Sequence, residues 1–149
     1  EPNADATSWT FKIREGVMFN DGTPLTVDDV VYTFTSIFTA DPSRSKGAFE
    51  GTLAPEGVVK VDETTVRFDL LKSTGNFPYS VSSMTYGRCI IKKDADGGKA
   101  WTDTMIAAGP WKMESYVETE KTVFVCKFIE IESGYVISDF TSELAAATN

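Results

Sequence analysis

Residues 9–34 read WTFKIREGVMFNDGTPLTVDDVVYTF, and the stretch carries two periodicities in succession. Trp9, Phe11 and Ile13 alternate with Thr10, Lys12 and Arg14, the period of a strand with one face buried. Val17 and Phe19 prolong the pattern beyond Gly16, and Asn20-Asp21-Gly22 supplies a turn. From Val27 the period changes. Val27, Val30, Val31, Phe34, Ile37 and Phe38 fall at i, i+3, i+4, i+7, i+10 and i+11, one apolar stripe along an amphipathic helix. Thr26 precedes Asp29 by the three residues of a capping box, and Asp28 and Asp29 sit at the positive end of the helix dipole. A half-buried strand, a tight turn and a capped helix in one short stretch predict a mixed fold.

Reading outward, Asp41-Pro42 should end the helix, and residues 41–57, with Pro, Gly and Ser, read as a long surface connection. Val58–Val61 and Thr65–Leu70 form a hairpin around Asp62-Glu63, with Val66, Phe68 and Leu70 alternating inward. Asn76–Met84 reads as a short helix with Pro78 in its first turn, and Cys89-Ile90-Ile91 as a short apolar strand. Asp94–Gly98 is a turn, Lys99–Ile106 a helical candidate, and Gly109-Pro110 a corner leading into a strand, Trp111–Val117. After a turn near Thr119-Glu120, Val123–Phe128 is apolar on both faces except at Lys127, so it should be a central or covered strand. Beyond Ser133-Gly134 the pattern weakens, and Phe140–Ala147 reads as a C-terminal helix. The predicted class is α+β, an antiparallel or mixed sheet with flanking helices.

Composition removes whole classes of chemistry. The 149 residues hold 14 Lys+Arg against 22 Asp+Glu, a formal charge of −8, and no histidine. No Ser-His-Asp or Cys-His dyad can form, nor a His-ligated zinc or haem site, nor an imidazole general base. The acidic balance argues against nucleic acid or an anionic membrane surface as partner. An apolar fraction of 42% with 12% aromatics belongs to a folding chain, and no apolar run approaches the ~20 residues needed to cross a bilayer. Cys89 and Cys126 could form one disulfide; two unpaired buried thiols is the plainer reading. Asp94-Ala95-Asp96-Gly97 resembles the opening of a calcium loop, but Met105 stands where its closing Glu belongs, so it reads as a turn. Asp28 and Asp29 are explained by their helix terminus without acid/base work, and Glu130 and Glu132 by a solvated strand face. The chain is therefore expected to be no enzyme, and no metal or cofactor is predicted. It opens Glu1-Pro2-Asn3 with neither an initiator Met nor an apolar leader, as a processed or cut product would.

The long string from Trp9 to Phe34 closely resembles the family 5 extracellular solute-binding proteins, the peptide and nickel receptors of ABC importers. There the family pattern is a W-T-F-x-L-R-x-G-V-x-F strand, an x-D-G-x-P turn and a T-x-x-D-V-V-x-x-F helix. Two later segments agree in order. Val61-Asp62-Glu63-Thr64-Thr65-Val66-Arg67-Phe68 is similar to the family's V-x-D-x-x-T-V-x-F hairpin. Ala108-Gly109-Pro110-Trp111-Lys112-Met113-Glu114-Ser115-Tyr116 is similar to its G-T-G-P-[YFW]-x-[LM]-x-x-[WY] segment, with Ala107-Ala108 where Gly-Thr is usual. After Phe128 the chain departs from the family's Asn-Pro-x-Tyr-Trp run.

The resemblance implies part of a two-lobed receptor with a type II periplasmic-binding-protein lobe. Residues 1–106 would be the subdomain inserted in the first lobe, 107–128 strands returning to that lobe, and 129–149 a divergent tail with a C-terminal helix as its candidate structure. The second lobe lies outside this sequence. The implied function is capture of peptides or another small solute outside the cytoplasm, in the periplasm or lipid-anchored at the cell surface in the full-length protein, for an ABC transporter permease. By chain order, Arg88 falls where nickel-type members place an Arg on their ligand, and Lys46 and Phe49 where an Arg and a Trp occur, though Phe49 is more simply read as a loop anchor. Trp111 would pack the lobe junction. The competing reading is a protein–protein module that forms homo-oligomers through exposed strand edges and binds no solute of its own.

Overall fold

The computed structural model describes residues 1–39, 45–83, 89–93, 106, 108, 111–117, 121–126 and 141–145, the last three segments by backbone course and pairing. Strand β1, Ser8–Lys12, runs antiparallel to β3, Thr65–Leu70, with Trp9 opposite Phe68 and Phe11 opposite Val66. Strand β2, Leu53–Lys60, lies on the other side of β3, with Val58 opposite Phe68 and Lys60 opposite Val66. The order is β1-β3-β2, and the predicted hairpin is present. A register shift separates Leu53 from Val58. Within it, a Cβ on Gly57 would come 2.3 Å from the Asp69 carbonyl oxygen, so only glycine allows the backbones to pass this closely.

Helix α1, Val27–Thr39, lies across β2 and β3 and buries Val27, Val30, Phe34 and Ile37 against Val58, Val66 and Phe68. The alternation in β1 and β3 and the stripe in α1 thus meet on one side of the sheet. Phe34 stands edge-on to Phe68 at 5.0 Å between ring centres and 84° between planes, and Phe68 in turn meets Phe11 at 5.7 Å. Edge-to-face pairs of this kind add about 0.5–1.5 kcal/mol each beyond area burial. The capping box forms as predicted: Thr26 N–H and Oγ1–H donate to Asp29 Oδ2 at 2.8 and 2.6 Å, and Asp29 N–H returns to Thr26 Oγ1 at 3.4 Å.

Several elements differ from the sequence reading. The strand does not run on to Phe19. Gly16 takes φ +76°, Met18 bridges Pro24, and Phe19 N–H donates to the Thr23 carbonyl, so residues 16–25 close on themselves around the Asn20-Asp21-Gly22 turn. The stretch 41–57 is not a plain connection: α2, Lys46–Phe49, sits within it and β2 already begins at Leu53. Pro55 and Gly57 disguised that strand, while burial of Phe49 and Leu53 drives both elements onto the core. Helix α3, Phe77–Ser82, matches the prediction, with Pro78 in its first turn. Cys89-Ile90-Ile91 is not a strand; only Ile91 holds an isolated bridge position. Cys89 is unpaired and exposed rather than buried, and Cys126 is described by its backbone alone.

A second antiparallel sheet has the order β4-β5-β6, from Trp111–Val117, Lys121–Cys126 and Thr141–Ala145. The apolar strand β5 is central, as its two-faced pattern predicted. The expected C-terminal helix over Phe140–Ala147 is instead strand β6, paired from Val125↔Thr141 to Lys121↔Ala145. The Ala-rich tail favours helix only weakly, and β5 has a second edge whose N–H and C=O groups need partners. Pairing outweighs propensity here. The predicted helix end at Asp41-Pro42, the Asp94–Gly98 turn, most of Lys99–Ile106, the Gly109-Pro110 corner, the Thr119-Glu120 turn, and Glu130 and Glu132 lie outside the described residues.

The outer edge of β1 is covered by the chain's own start: Thr10 N–H donates to the Glu1 carbonyl at 2.8 Å and Asn3 N–H to that of Ser8 at 2.9 Å. The opposite edge strand, β2, carries Pro55, which has no N–H to offer a newcomer.

Candidate functional site

The sheet is wider than α1, and an apolar groove of about 830 Å³ opens beside the helix, between α1, α3 and the β1–β3 pair. This falls within the range of small-molecule sites. Its floor is the core itself, Phe11, Phe34, Val66 and Phe68, so the alternation that folds the sheet also makes the floor apolar. One wall is α3. Trp9 Nε1–H donates to the Thr74 carbonyl at 3.1 Å, fixing the approach to that helix, and Phe77 buries its first turn. Pro78, Tyr79 and Val81 then face the groove, and Tyr79 stands at its rim, 69% exposed.

Cys89 and Ile90 line the groove as well, and the next three residues are each tied to the neighbourhood of α1. Ile91 N–H donates to Thr33 Oγ1 at 3.0 Å. Lys92 Nζ meets Asp21 Oδ2 at 2.7 Å. Lys93 N–H donates to Asp29 Oδ1 at 2.9 Å. The capping carboxylate therefore has a second task that the sequence reading missed: one oxygen closes the helix start, the other holds residue 93. Asp29 is 6% exposed and Thr33 is fully buried.

Electrostatics separate the two neighbouring aspartates. Asp28 points at Lys60, 2.8 Å away, and the ammonium donating to it holds its carboxyl below the usual value. Lys60 also reaches Glu63, and Asp28 foremost raises its own pKa. The pair Asp28–Asp29 is thus divided between an ion pair and a cap. Asp21 is lowered to about 2, first by the hydrogen bond from Lys92 and then by Thr23. On β3, Arg67 forms a two-pronged pair with Asp69 at 2.8 Å.

Of the three residues singled out by the sequence, Phe49 and Lys46 are described. Phe49 has 0% of its surface exposed and stands edge-on to Phe34 and Phe77, so its side chain is a core anchor with no face left for a ligand. Lys46 opens α2 and is exposed. Arg88 lies outside the described residues, one position before Cys89 of the groove wall. The groove itself was missed. Its elements were legible, but which of their faces remain uncovered depends on packing that no local pattern encodes. Among the described residues no group of three Cys, Asp or Glu side chains is arranged to hold a metal ion, and no helix is long and apolar enough to cross a membrane.

Known proteins resemble the chain along most of its length. The sequence profile of the bacterial extracellular solute-binding proteins, family 5 Middle, matches residues 1–127. The periplasmic murein peptide-binding protein MppA of Escherichia coli (strain K12) is 27% identical over 138 residues, which cover 81% of this chain and 26% of that protein. The oligopeptide-binding protein OppA of Bacillus subtilis (strain 168) is 28% identical over 135 residues, 78% of this chain and 24% of OppA. Among solved structures, a periplasmic oligopeptide-binding protein of Borrelia burgdorferi superposes on 100% of this chain and 33% of its own, with a TM-score of 0.79 at 19% identity. The chain spans about a quarter of the length of the two curated relatives.

Proposed function

Because the chain belongs to the bacterial extracellular solute-binding proteins of family 5, we propose that it is part of the substrate-binding component of an ABC importer. In this reading it captures peptides, or another small solute, outside the cytoplasm and presents them to the permease. Residues 1–106 form the subdomain inserted in the first lobe and 107–128 return to that lobe. The chain binds its solute without transforming it, in keeping with its lack of histidine. The observation that carries the reading is the family match across residues 1–127, with relatives named for peptide binding.

The groove supports it chemically. An apolar trough with an exposed tyrosine at its rim suits the side chains of a peptide whose backbone is held elsewhere. Arg88, just before the groove wall, supplies a charged contact to the solute. A surface that touches a ligand from one side only cannot bury most of it, so this chain alone should bind apolar tetrapeptides weakly, near 1 mM, worth about 4 kcal/mol. Titration with a Leu-rich tetrapeptide followed by amide shifts is the test. Shifts should cluster at Phe11, Tyr79 and Ile90 and shrink in Arg88→Ala, with the melting temperature unchanged. Absence of any shift at millimolar peptide, or shifts confined to the Arg67–Asp69 side, would overturn the reading.

A further inference from the structure

Three consecutive residues, Ile91, Lys92 and Lys93, are each held by a different side chain, Thr33, Asp21 and Asp29. Each holder keeps its other partners when the contact is lost. The Thr33 hydroxyl donates to the Asp29 carbonyl at 2.7 Å, with a longer contact of 3.4 Å to the Ile91 carbonyl, so its main bond within the helix survives the loss of Ile91. Asp29 retains both Thr26 donors on its other oxygen. Asp21 retains Thr23, whose N–H and Oγ1–H donate at 3.0 and 2.6 Å. Detaching residues 91–93 therefore leaves the capping box, the helix and the 16–25 loop bonded as before. The apolar stripe of α1 faces β2 and β3, and of the groove wall Ile90 is only partly buried against that core.

We propose that residues 91–93 form a releasable strap, latched to α1 and the adjoining loop by Thr33, Asp29 and Asp21. Its release carries the groove wall of Cys89 and Ile90 away while the α1–β1–β3 core stays folded. The strap is a local unit with an opening free energy well below that of the whole domain. Water can replace the acceptors that the Ile91 and Lys93 N–H groups lose, whereas α1 would have to expose its apolar stripe in order to move. The strap gives the groove an adjustable side, so that its width follows the side chain placed in it. This holds whatever the solute, and so stands apart from the transport reading.

Native-state hydrogen exchange on the full chain tests the proposal. In the unmodified protein, the Ile91 and Lys93 amides should exchange together, at least roughly ten-fold faster than Val66 and Phe68 of β3, and with little dependence on added denaturant. Thr33→Val removes the acceptor for Ile91 and should speed both strap amides several-fold further, leaving those of β3 unchanged. Lys92→Ala, at a partly exposed position, should do the same more weakly and serves if Thr33→Val folds poorly. Exchange of Ile91 and Lys93 at the same rate and denaturant dependence as β3 would overturn the strap, since the segment would then leave only on global unfolding. Acceleration of one strap amide without the other would also overturn it, because the latch would not be a unit.

Discussion

The α1–β3 interface and the strap over residues 91–93 lie against the same helix and are held by opposite means. At the interface Phe34, Phe68 and Val66 lose essentially all contact with water, and the contact has no substitute partner in the unfolded chain. At the strap the contacts are hydrogen bonds and one partly exposed ion pair, and water replaces each of them at small net cost. The contrast locates the freedom of movement in this molecule. Apolar burial decides what must stay together, whereas polar ties decide where a segment rests.

The largest expected effect breaks the first side of that comparison. Phe68→Ala removes the ring that meets Phe11, Phe34 and Phe77 and should cost roughly 3–5 kcal/mol, seen as a large fall in the denaturant midpoint. A loss below about 1 kcal/mol would mean that the core is not centred there. Thr26→Ala is intermediate. It removes the hydroxyl half of the capping box and should cost about 1 kcal/mol in the same measurement, while Asp29 still holds Lys93.

The smallest effect belongs to the strap and depends on pH. Asp21 is lowered to about 2 in the folded chain, from 3.8 in the unfolded one. The folded state holds the ionised form more firmly, so the stabilisation is fully present above pH 4 and fades as pH falls toward 2. For a pair this exposed it amounts to at most about 1 kcal/mol. Asp21→Asn should therefore lower stability slightly at pH 7 and make no difference near pH 2, by paired denaturation curves. An equal difference at both pH values would show that the side chain acts by shape and not by charge.

The sequence was most legible where one element declares itself. The Trp9–Ile13 alternation, the Thr26–Asp29 cap, the α1 stripe and the Thr65–Leu70 strand all appear as read, because each is set by neighbours within a few residues. Phe140–Ala147 misled because its weak helical preference competes with a strand edge supplied from elsewhere in the chain. The start of β2 was hidden by Pro55 and Gly57, which look like loop residues yet serve the register shift against β3. Phe49 shows the limit for the site. Its place in chain order suggested a ligand contact beside the plainer reading of a loop anchor, and packing shows the ring buried in the core. The double use of Asp29 was illegible for the same reason, since Lys93 is distant in sequence and meets it only after folding.

The central claim, that the groove between α1 and α3 takes the apolar part of a solute, is met most directly by one titration. A Leu-rich tetrapeptide should move the amides around the groove in the parent chain, and several-fold more peptide should be needed in Tyr79→Ser, an exposed position whose replacement leaves the fold intact. Equal affinity in the two, or shifts that avoid the groove altogether, would contradict it.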